Sequence, residues 1–344
     1  MTAEVRANTL FVTAEGASLR MREFSLQVLV EGKVRISVPL HHLHAIAMIG
    51  RASVSTVVLE RCVDAGISVT FLTSAGKLVA RVDAPVSGNV LLRRSQFRLA
   101  DDREKSLKIA RSFVAGKLNN CRSLPMHASR DDDEDSLRRL ELRTASARVR
   151  QAILGAASAT TMDELRGQEG IGSRVYFGAF SQLVREDSMR MPGRNRRPPR
   201  DPVNAMLSFV YALLLNDCIS ALTTAGLDPA VGYLHSDRPG RPGLALDLME
   251  EFRPLLADRT VLAIINRKQV TPDDFVRGDG GSVMLSPEGR RTVIAGYHDR
   301  CGEEVKHPLL NQSALLSQFP FIQARLLARY IRGDLVAYPP CVLR

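Results

Sequence analysis

The feature that most constrains the fold of this chain is a change of hydrophobic period near residue 86. Before it, short β-branched or apolar segments alternate with Gly or polar turns, a pattern typical of β-strands. After it, apolar residues recur at helical spacing, as Leu107, Ala110, Phe113 and Val114 do. The sequence therefore predicts an α+β protein with a β-rich N-terminal domain and a larger helical domain.

The segment Ala84-Pro85-Val86-Ser87-Gly88 interrupts both patterns, so we place the domain boundary there, with domains at 1–86 and 87–344. Glu31-Gly32 predicts a hairpin turn, and a helix is expected from near Ser53 to Gly66. The predicted strands of the first domain are 9–12, 24–30, 33–39, 45–49 and 69–72.

Three features are predicted in the second domain besides its long helices. Asp201 followed by Pro202 is typical of a helix start. Ser286-Pro287-Glu288-Gly289 is interpreted as the turn of a hairpin over 282–296. A last helix is expected over about 311–331, followed by a loose tail at Tyr338-Pro339-Pro340.

The charge balance favours a polyanionic partner. Lys and Arg number 47 against 37 Asp and Glu, a formal net charge of +10. Such a balance favours nucleic acid ahead of a membrane surface, although a basic proteome would give the same number. The five cysteines are scattered and include no CxxC pair, which predicts free thiols in the cytoplasm. There is no signal-peptide pattern and no run of eighteen apolar residues, which predicts that the protein has no membrane partner.

Three positions offer groups that could carry chemistry. Glu169 lies between glycines in Gly167-Gln168-Glu169-Gly170, within a stretch that is otherwise helical. His235 follows an apolar run, and Asp247 and Glu250 lie one helical turn apart among apolar neighbours. Taken singly, each has a plain structural interpretation: a surface glutamate, a structural histidine, and an acidic pair neutralised by an arginine such as Arg253.

Taken together, carboxylates and one imidazole form a mixed oxygen and nitrogen set suited to Mg²⁺ or Mn²⁺. Zinc is less favoured because no Cys or HxxxH pair accompanies them. The sequence has no GxxxxGK[ST] motif and no GxSxG elbow, which argues against a P-loop ATPase and an α/β-hydrolase.

An arginine-rich loop precedes the helix that begins near Asp201. Guanidinium groups suit bidentate contact with phosphate, so we interpret this loop as a contact for a phosphate-rich substrate, with a flexible, solvated basic linker as the alternative. The candidate DNA-binding residues are Arg190, Arg194, Arg196, Arg197 and Arg200 in this loop, and Arg238 and Arg241 after His235.

The run from Arg194 to Phe209 (RNRRPPRDPVNAMLSF) resembles the central signature of the CRISPR-associated integrases of spacer acquisition, the Cas-one family. Gly167–Gly170, His235 and the segment DLMEEFRP at 247–254 resemble the family's three catalytic segments, in the same order. The resemblance covers nearly the whole chain, and the local sequence at 244–254 is similar to that of type I-C members.

This resemblance implies a β-sandwich-like N-terminal domain, through which the chain forms a homodimer, and an all-helical catalytic domain. It implies Glu169, His235 and Glu250 as the catalytic and metal-binding residues, with Asp247 as a supporting acid. It further implies assembly with a small ferredoxin-like protein of the Cas-two family and insertion of short DNA fragments into a CRISPR array by transesterification. The alternatives are a non-catalytic DNA-binding scaffold and a metal-dependent nuclease for branched DNA or RNA.

Overall fold

The computed structural model describes residues 3–343 apart from 7–8, 44, 75, 77, 83–89, 131–132, 134–135 and 196–197. Its strands come first along the chain and its long helices follow. The N-terminal strands end at Val82, and the first long helix begins at Val90. The predicted domain boundary after residue 86 lies outside the described residues.

Two sheets make up the N-terminal region. The elements are β1 (Ala3–Arg6), β2 (Thr9–Val12), β3 (Ser18–Arg22), β4 (Ser25–Val30), β5 (Lys33–Pro39), β6 (Ala45–Ile49), β7 (Ser53–Val54), α1 (Thr56–Asp64), β8 (Ser68–Leu72) and β9 (Leu78–Val82). One sheet has the order β1-β2-β6-β8-β9 and the other β5-β4-β3-β7. Both contribute to one buried cluster, so the sandwich-like arrangement is confirmed.

Turn chemistry and capping explain two of these elements. Glu31 and Gly32 both have positive φ, 52° and 74°, and they connect β4 to its antiparallel partner β5, as predicted. Helix α1 begins after Ser55, whose side chain accepts a hydrogen bond from the Val58 amide.

The five-stranded sheet joins the sandwich to the helical region. Successive residues of β2 point to opposite faces, because side chains alternate along a strand. Leu10 and Val12 lie in the sandwich core, whereas Phe11 packs into the helical core. The Phe11 ring lies 4.1 Å from the ring of His298 in the helical region. From the same sheet, Arg81 of β9 donates a hydrogen bond of 2.9 Å to Ser220 Oγ. The sheet therefore has apolar neighbours on both faces.

The second region is mainly helical. Its helices are α2 (Val90–Asp101), α3 (Arg103–Ala128), α4 (Leu137–Ser158), α5 (Met162–Leu183), α6 (Pro202–Thr224), α7 (Gly243–Phe252), α8 (Arg259–Asn266), α9 (Pro287–Cys301) and α10 (Phe319–Arg332). Two short antiparallel hairpins interrupt them, β10 (Phe275–Arg277) with β11 (Val283–Leu285), and β12 (Glu304–Lys306) with β13 (Ser313–Leu315). A π-helical stretch, Arg253–Asp258, connects α7 to α8.

Helix α6 lies in the middle of the helical core. Asp201 caps it by accepting from the Asn204 amide over 2.9 Å, and Pro202 stands in its first turn, as predicted. By length and composition alone it could cross a membrane, but 61% of its most apolar window is buried inside the protein. That degree of burial is what the core helix of a soluble protein shows.

The last helix begins at Phe319 rather than near residue 311, because Ser313–Leu315 forms strand β13. Two other predictions near the C-terminus are wrong. Residues 282–296 are not a hairpin, because Ser286 accepts from the Gly289 amide over 3.0 Å and begins α9, with Pro287 in its first turn. The C-terminal segment is not loose either. Tyr338 and Cys341 are buried, with 2% and 0% of their surfaces exposed, because both bind Glu251 of α7.

Candidate active site

Three packed helices bring the predicted acids together. Helix α5 carries Glu169 and α7 carries Glu250, and both pack against the long helix α3. Helix α5 begins with a capping box, in which Thr161 and Glu164 satisfy each other's backbone amides. Helix α3 is therefore the common neighbour of two acids that are distant in sequence.

A lysine that the sequence analysis did not single out lies between these acids. Lys117 of α3 forms ion pairs with Glu169, and with Glu250 Oε2 at 2.8 Å. Ser173 adds a hydrogen bond of 3.0 Å to Glu169 Oε1. Burial lowers the pKa of Lys117, but the two carboxylates outweigh that effect and raise it, so its ammonium group is charged.

Glu250 is buried and ionised. Burial alone would raise the pKa of its carboxyl group, but the charges of Arg253 and Lys117 outweigh burial and lower it to about 2. Arg253 Nη1 lies 3.0 Å from Glu250 Oε1. The arginine considered in the sequence analysis as a structural partner of the acidic pair is thus present, together with the lysine.

Asp247 holds the segment that carries His235. Its carboxylate accepts from the amides of Tyr233 at 2.6 Å, Leu234 at 2.9 Å and His235 at 2.9 Å. His235 Nδ1 lies 2.6 Å from Asp247 Oδ1. A fully buried carboxylate therefore fixes both the backbone and the ring of His235, and leaves Nε2 as the nitrogen available to another group.

Gly232 and Gly243 make this arrangement possible. A Cβ atom on Gly232 would lie 2.7 Å from the Gly243 carbonyl carbon and 2.9 Å from Asp247 Oδ2. A larger residue at either position would push the His235 segment away from α7, so the close approach requires glycine.

A buried network supports Arg253 from the far side. Asp258, at the end of the π-helical stretch, accepts hydrogen bonds from Tyr176 at 2.7 Å and Tyr211 at 2.6 Å. The Arg253 guanidinium lies 4.8 Å from the centre of the Tyr211 ring, a cation–π distance. Burial raises the pKa of Asp258 to about 6 despite both hydroxyl donors.

The donor set fits a divalent cation, although its side chains do not converge on one point in this arrangement. Within the described residues, no group of three or more His, Cys, Asp or Glu side chains is placed to hold a metal ion. Glu250 Oε2 is nevertheless buried without a well-aligned hydrogen bond in that part of the chain, so its contact with Lys117 is an ion pair. A buried carboxylate oxygen in this state fits a cation, which is the Lys117 ammonium in this arrangement, and a divalent metal ion would suit the same oxygen.

The site is accessible from solvent on two sides. The Glu169 side chain is 24% exposed, so the site reaches solvent beside α5. A cleft of about 420 Å³ lies beside His235. Its lining includes Phe97, Asp101, Ser106, Ser236 and Asp237.

The candidate DNA-binding arginines differ in their surroundings. Arg194 Nη1 donates to Asn204 Oδ1 at 2.5 Å, and its guanidinium also lies 5.4 Å from the centre of the Tyr211 ring. Arg190 is exposed and pairs with Asp187 at 2.6 Å. Arg200 and Arg238 are exposed and Arg241 is half-buried. Arg196 and Arg197 lie outside the described residues.

The chain matches the family described as "CRISPR associated protein Cas1" over residues 10–299. A CRISPR-associated endonuclease Cas1 of Rhodospirillum rubrum is 45% identical over 338 residues, 97% of each chain. One of Moorella thermoacetica is 41% identical over 98% of each.

Solved structures share the fold. A casposase bound to integration product superposes with a TM-score of 0.85 at 21% identity, over 98% of this chain and 94% of the other. A Cas1 protein from Thermotoga maritima gives 0.81 at 21% identity, over 96% and 98%. A chain of a Cas6-RT-Cas1–Cas2 complex gives 0.81 at 24% identity, over 98% of this chain and 36% of that chain.

Proposed function

The chain belongs to the Cas1 family of CRISPR-associated endonucleases, and from this premise we propose that Glu169, His235 and Glu250 form the site at which it joins DNA strands during spacer acquisition. The observation that carries this proposal is the buried carboxylate of Asp247 on helix α7, which holds the loop residue His235 against the helix that also carries Glu250. This carboxylate accepts from three successive backbone amides and also contacts the ring at Nδ1, so it sets the orientation of the imidazole as well as the path of the loop, as expected for a metal-binding histidine.

We assign Glu169, His235 and Glu250 as the ligands of Mg²⁺ or Mn²⁺. Two carboxylates suit both ions, and the imidazole favours the more nitrogen-tolerant Mn²⁺. Such a cation, when bound, would supply positive charge that polarises a phosphate and stabilises an oxygen leaving group. The pairing of Nδ1 with Asp247 leaves His235 Nε2 as its ligand atom.

The reaction that this site would serve is a transesterification. The 3′-hydroxyl oxygen of a DNA fragment forms a new bond to a backbone phosphorus of the array, the bond from that phosphorus to its 3′-oxygen breaks, and the hydroxyl proton ends on the released 3′-oxygen. One phosphodiester replaces another, so the step needs no nucleotide triphosphate. The task of the protein is to align the two strands and offset negative charge.

The side chains of this chain can contribute to both tasks. The charge of Arg253 keeps Glu250 ionised, and the partly exposed side chain of Glu169 is within reach of a substrate. Exposed arginines such as Arg200 and Arg238 would contact phosphates, which agrees with the net charge of +10. We propose a structural role for Arg194, whose guanidinium is already bonded within the protein.

The expected partners are DNA, a second copy of this chain and a Cas2 protein. One structural neighbour is a chain of a Cas6-RT-Cas1–Cas2 complex, which supports a Cas2 partner here. The two-sheet region at 1–86 would form the homodimer, 87–344 would hold the active site, and the complex would work in the cytoplasm. The type I-C assignment remains a prediction.

A strand-joining assay tests this proposal. The full chain and its Cas2 partner would be mixed with a short duplex bearing free 3′-hydroxyls, a supercoiled array plasmid and Mn²⁺ or Mg²⁺. Joined product is expected, and E169Q, H235A and E250Q should each abolish it while retaining DNA. D163N, which changes an exposed acid of the same helix as Glu169, serves as the control.

The outcomes separate the alternatives. Full joining by any of the three site variants would refute the residue assignment, and joining in excess EDTA would refute the metal requirement. DNA retention without joining by the unaltered chain would favour a non-catalytic scaffold. Cleavage of branched DNA or RNA without joining would favour a repair nuclease or RNase.

A further inference from the structure

Lys117 is a buried cation in the middle of an apolar helix face. Its side chain is 6% exposed, and its neighbours on α3 include the fully buried Val114 and Leu118. Burying an ammonium group is unfavourable unless it is paired. Within the described part of the chain its ion pairs are those with Glu169 and Glu250, so the lysine and the two acids depend on one another.

The charges at this point already balance. Glu169 and Glu250 contribute two negative charges, and Lys117 and Arg253 contribute two positive ones. A divalent cation between the same carboxylates would add two further positive charges. Because like charges repel strongly where little water screens them, the ammonium and the metal cannot both occupy the space between Glu169 and Glu250.

We propose that Lys117 is the resident cation of this site, which holds Glu169 and Glu250 together in the metal-free protein and is displaced when the metal binds. This inference rests on the proposed metal site. A lysine is suited to the role, because its ammonium is a compact charge on a flexible four-carbon stem that can swing aside. Lys117 is therefore a positioning residue. It stabilises the metal-free protein and weakens metal binding.

Calorimetric titration of Mn²⁺ into the metal-free full chain tests the competition. K117M removes the charge and keeps an unbranched side chain, so Mn²⁺ should bind at least about tenfold more tightly, or about 1.4 kcal/mol. K117R retains the charge and should stay within about threefold of the wild type. K108M is the control, because Lys108 is an exposed lysine of the same helix that pairs with Glu104.

Thermal unfolding in EDTA gives a second readout. K117M should melt at a lower temperature than the wild type, because two acids lose their shared cation, and Mn²⁺ should raise its melting temperature by more than that of the wild type. The double variant K117M/E169Q removes one charge of each sign, so it should recover stability in EDTA. This double variant keeps the test valid if K117M does not fold without metal.

Two results would overturn the inference. The first is that K117M binds Mn²⁺ no more tightly than the wild type does, which is what a merely structural lysine would give. The second is that the double variant K117M/E169Q is no more stable in EDTA than K117M. Failure of the underlying metal site looks different, because the wild type would then bind Mn²⁺ no better than E250Q does. If E250Q abolishes binding while K117M leaves it unchanged, only the inference about Lys117 fails.

Discussion

Replacing Asp247 with asparagine should disable the site while the two side chains remain nearly equal in size. In the wild type, Oδ2 accepts from the Tyr233 and Leu234 amides, and Oδ1 accepts from the His235 amide and lies 2.6 Å from its ring Nδ1. Asparagine retains one oxygen and presents an NH₂ group in place of the other. At least two of the N–H groups that now donate to the Asp247 carboxylate would then face the NH₂ group of the asparagine, which cannot accept a hydrogen bond.

The magnitude follows from the contacts. A hydrogen bond to a charged group contributes roughly 1.5–3 kcal/mol, so the loss of two should reduce the free energy of unfolding by roughly 3–6 kcal/mol. That is a large part of the roughly 5–15 kcal/mol typical of a folded domain. Loss of an acid that orients a metal-binding histidine typically lowers metal affinity or activity by roughly 10–100-fold, and we expect a loss of joining in that range.

Urea unfolding would measure the first effect and the initial rate of strand joining the second, both with D163N as control. Asp163 is an exposed acid in the first turn of α5 and does not line the cleft beside His235, so its replacement should change neither quantity appreciably. A D247N protein that joins DNA within about twofold of the wild-type rate would refute the role given to Asp247. So would a normal Mn²⁺ affinity in that variant.

Three further predictions concern the surroundings of the site. Burial raises the pKa of Glu251 to about 8, above its ordinary value, so its contribution to stability is present at low pH and is lost as the pH rises towards 8. Between pH 5 and 8 the free energy of unfolding in urea should therefore fall less for E251Q than for the wild type. Equal falls would contradict this. Y211F removes a hydrogen bond of 2.6 Å to the buried Asp258 carboxylate and should cost roughly 1.5–3 kcal/mol in the same assay, whereas an unchanged midpoint would refute the network. DNA retention should fall steeply with salt, and R238A should reduce the slope of log affinity against log salt by about 1, with an unchanged slope placing Arg238 off the DNA path.

Much of the fold was predictable because its signals are local. The hairpin turn at Glu31-Gly32 needs two residues with positive φ, and Asp201 followed by Pro202 is a favoured helix start, and both are visible in the sequence. Ser286-Pro287 is ambiguous, because serine before proline is as good a helix start as a turn. The burial of Val293, Tyr297 and Cys301, four residues apart, belongs to the helix.

The site was only partly predictable, because its partners are distant in sequence. Glu169, His235 and Glu250 came from a resemblance, and their residue types alone left structural interpretations open. Lys117 and Asp258 had no local signal beyond a charge in an apolar helix face, since pairing across helices becomes visible only when α3, α5 and α7 are packed. The burial of the C-terminal segment on Glu251 is likewise a tertiary effect.

The central claim is that Glu169, His235 and Glu250 bind one cation. Anomalous diffraction from crystals of the full chain soaked in Mn²⁺ tests it most directly. We expect a peak contacted by Glu169, His235 Nε2 and Glu250, with the Lys117 ammonium moved away from the space between the two acids. An anomalous peak elsewhere and none at these residues would contradict the claim.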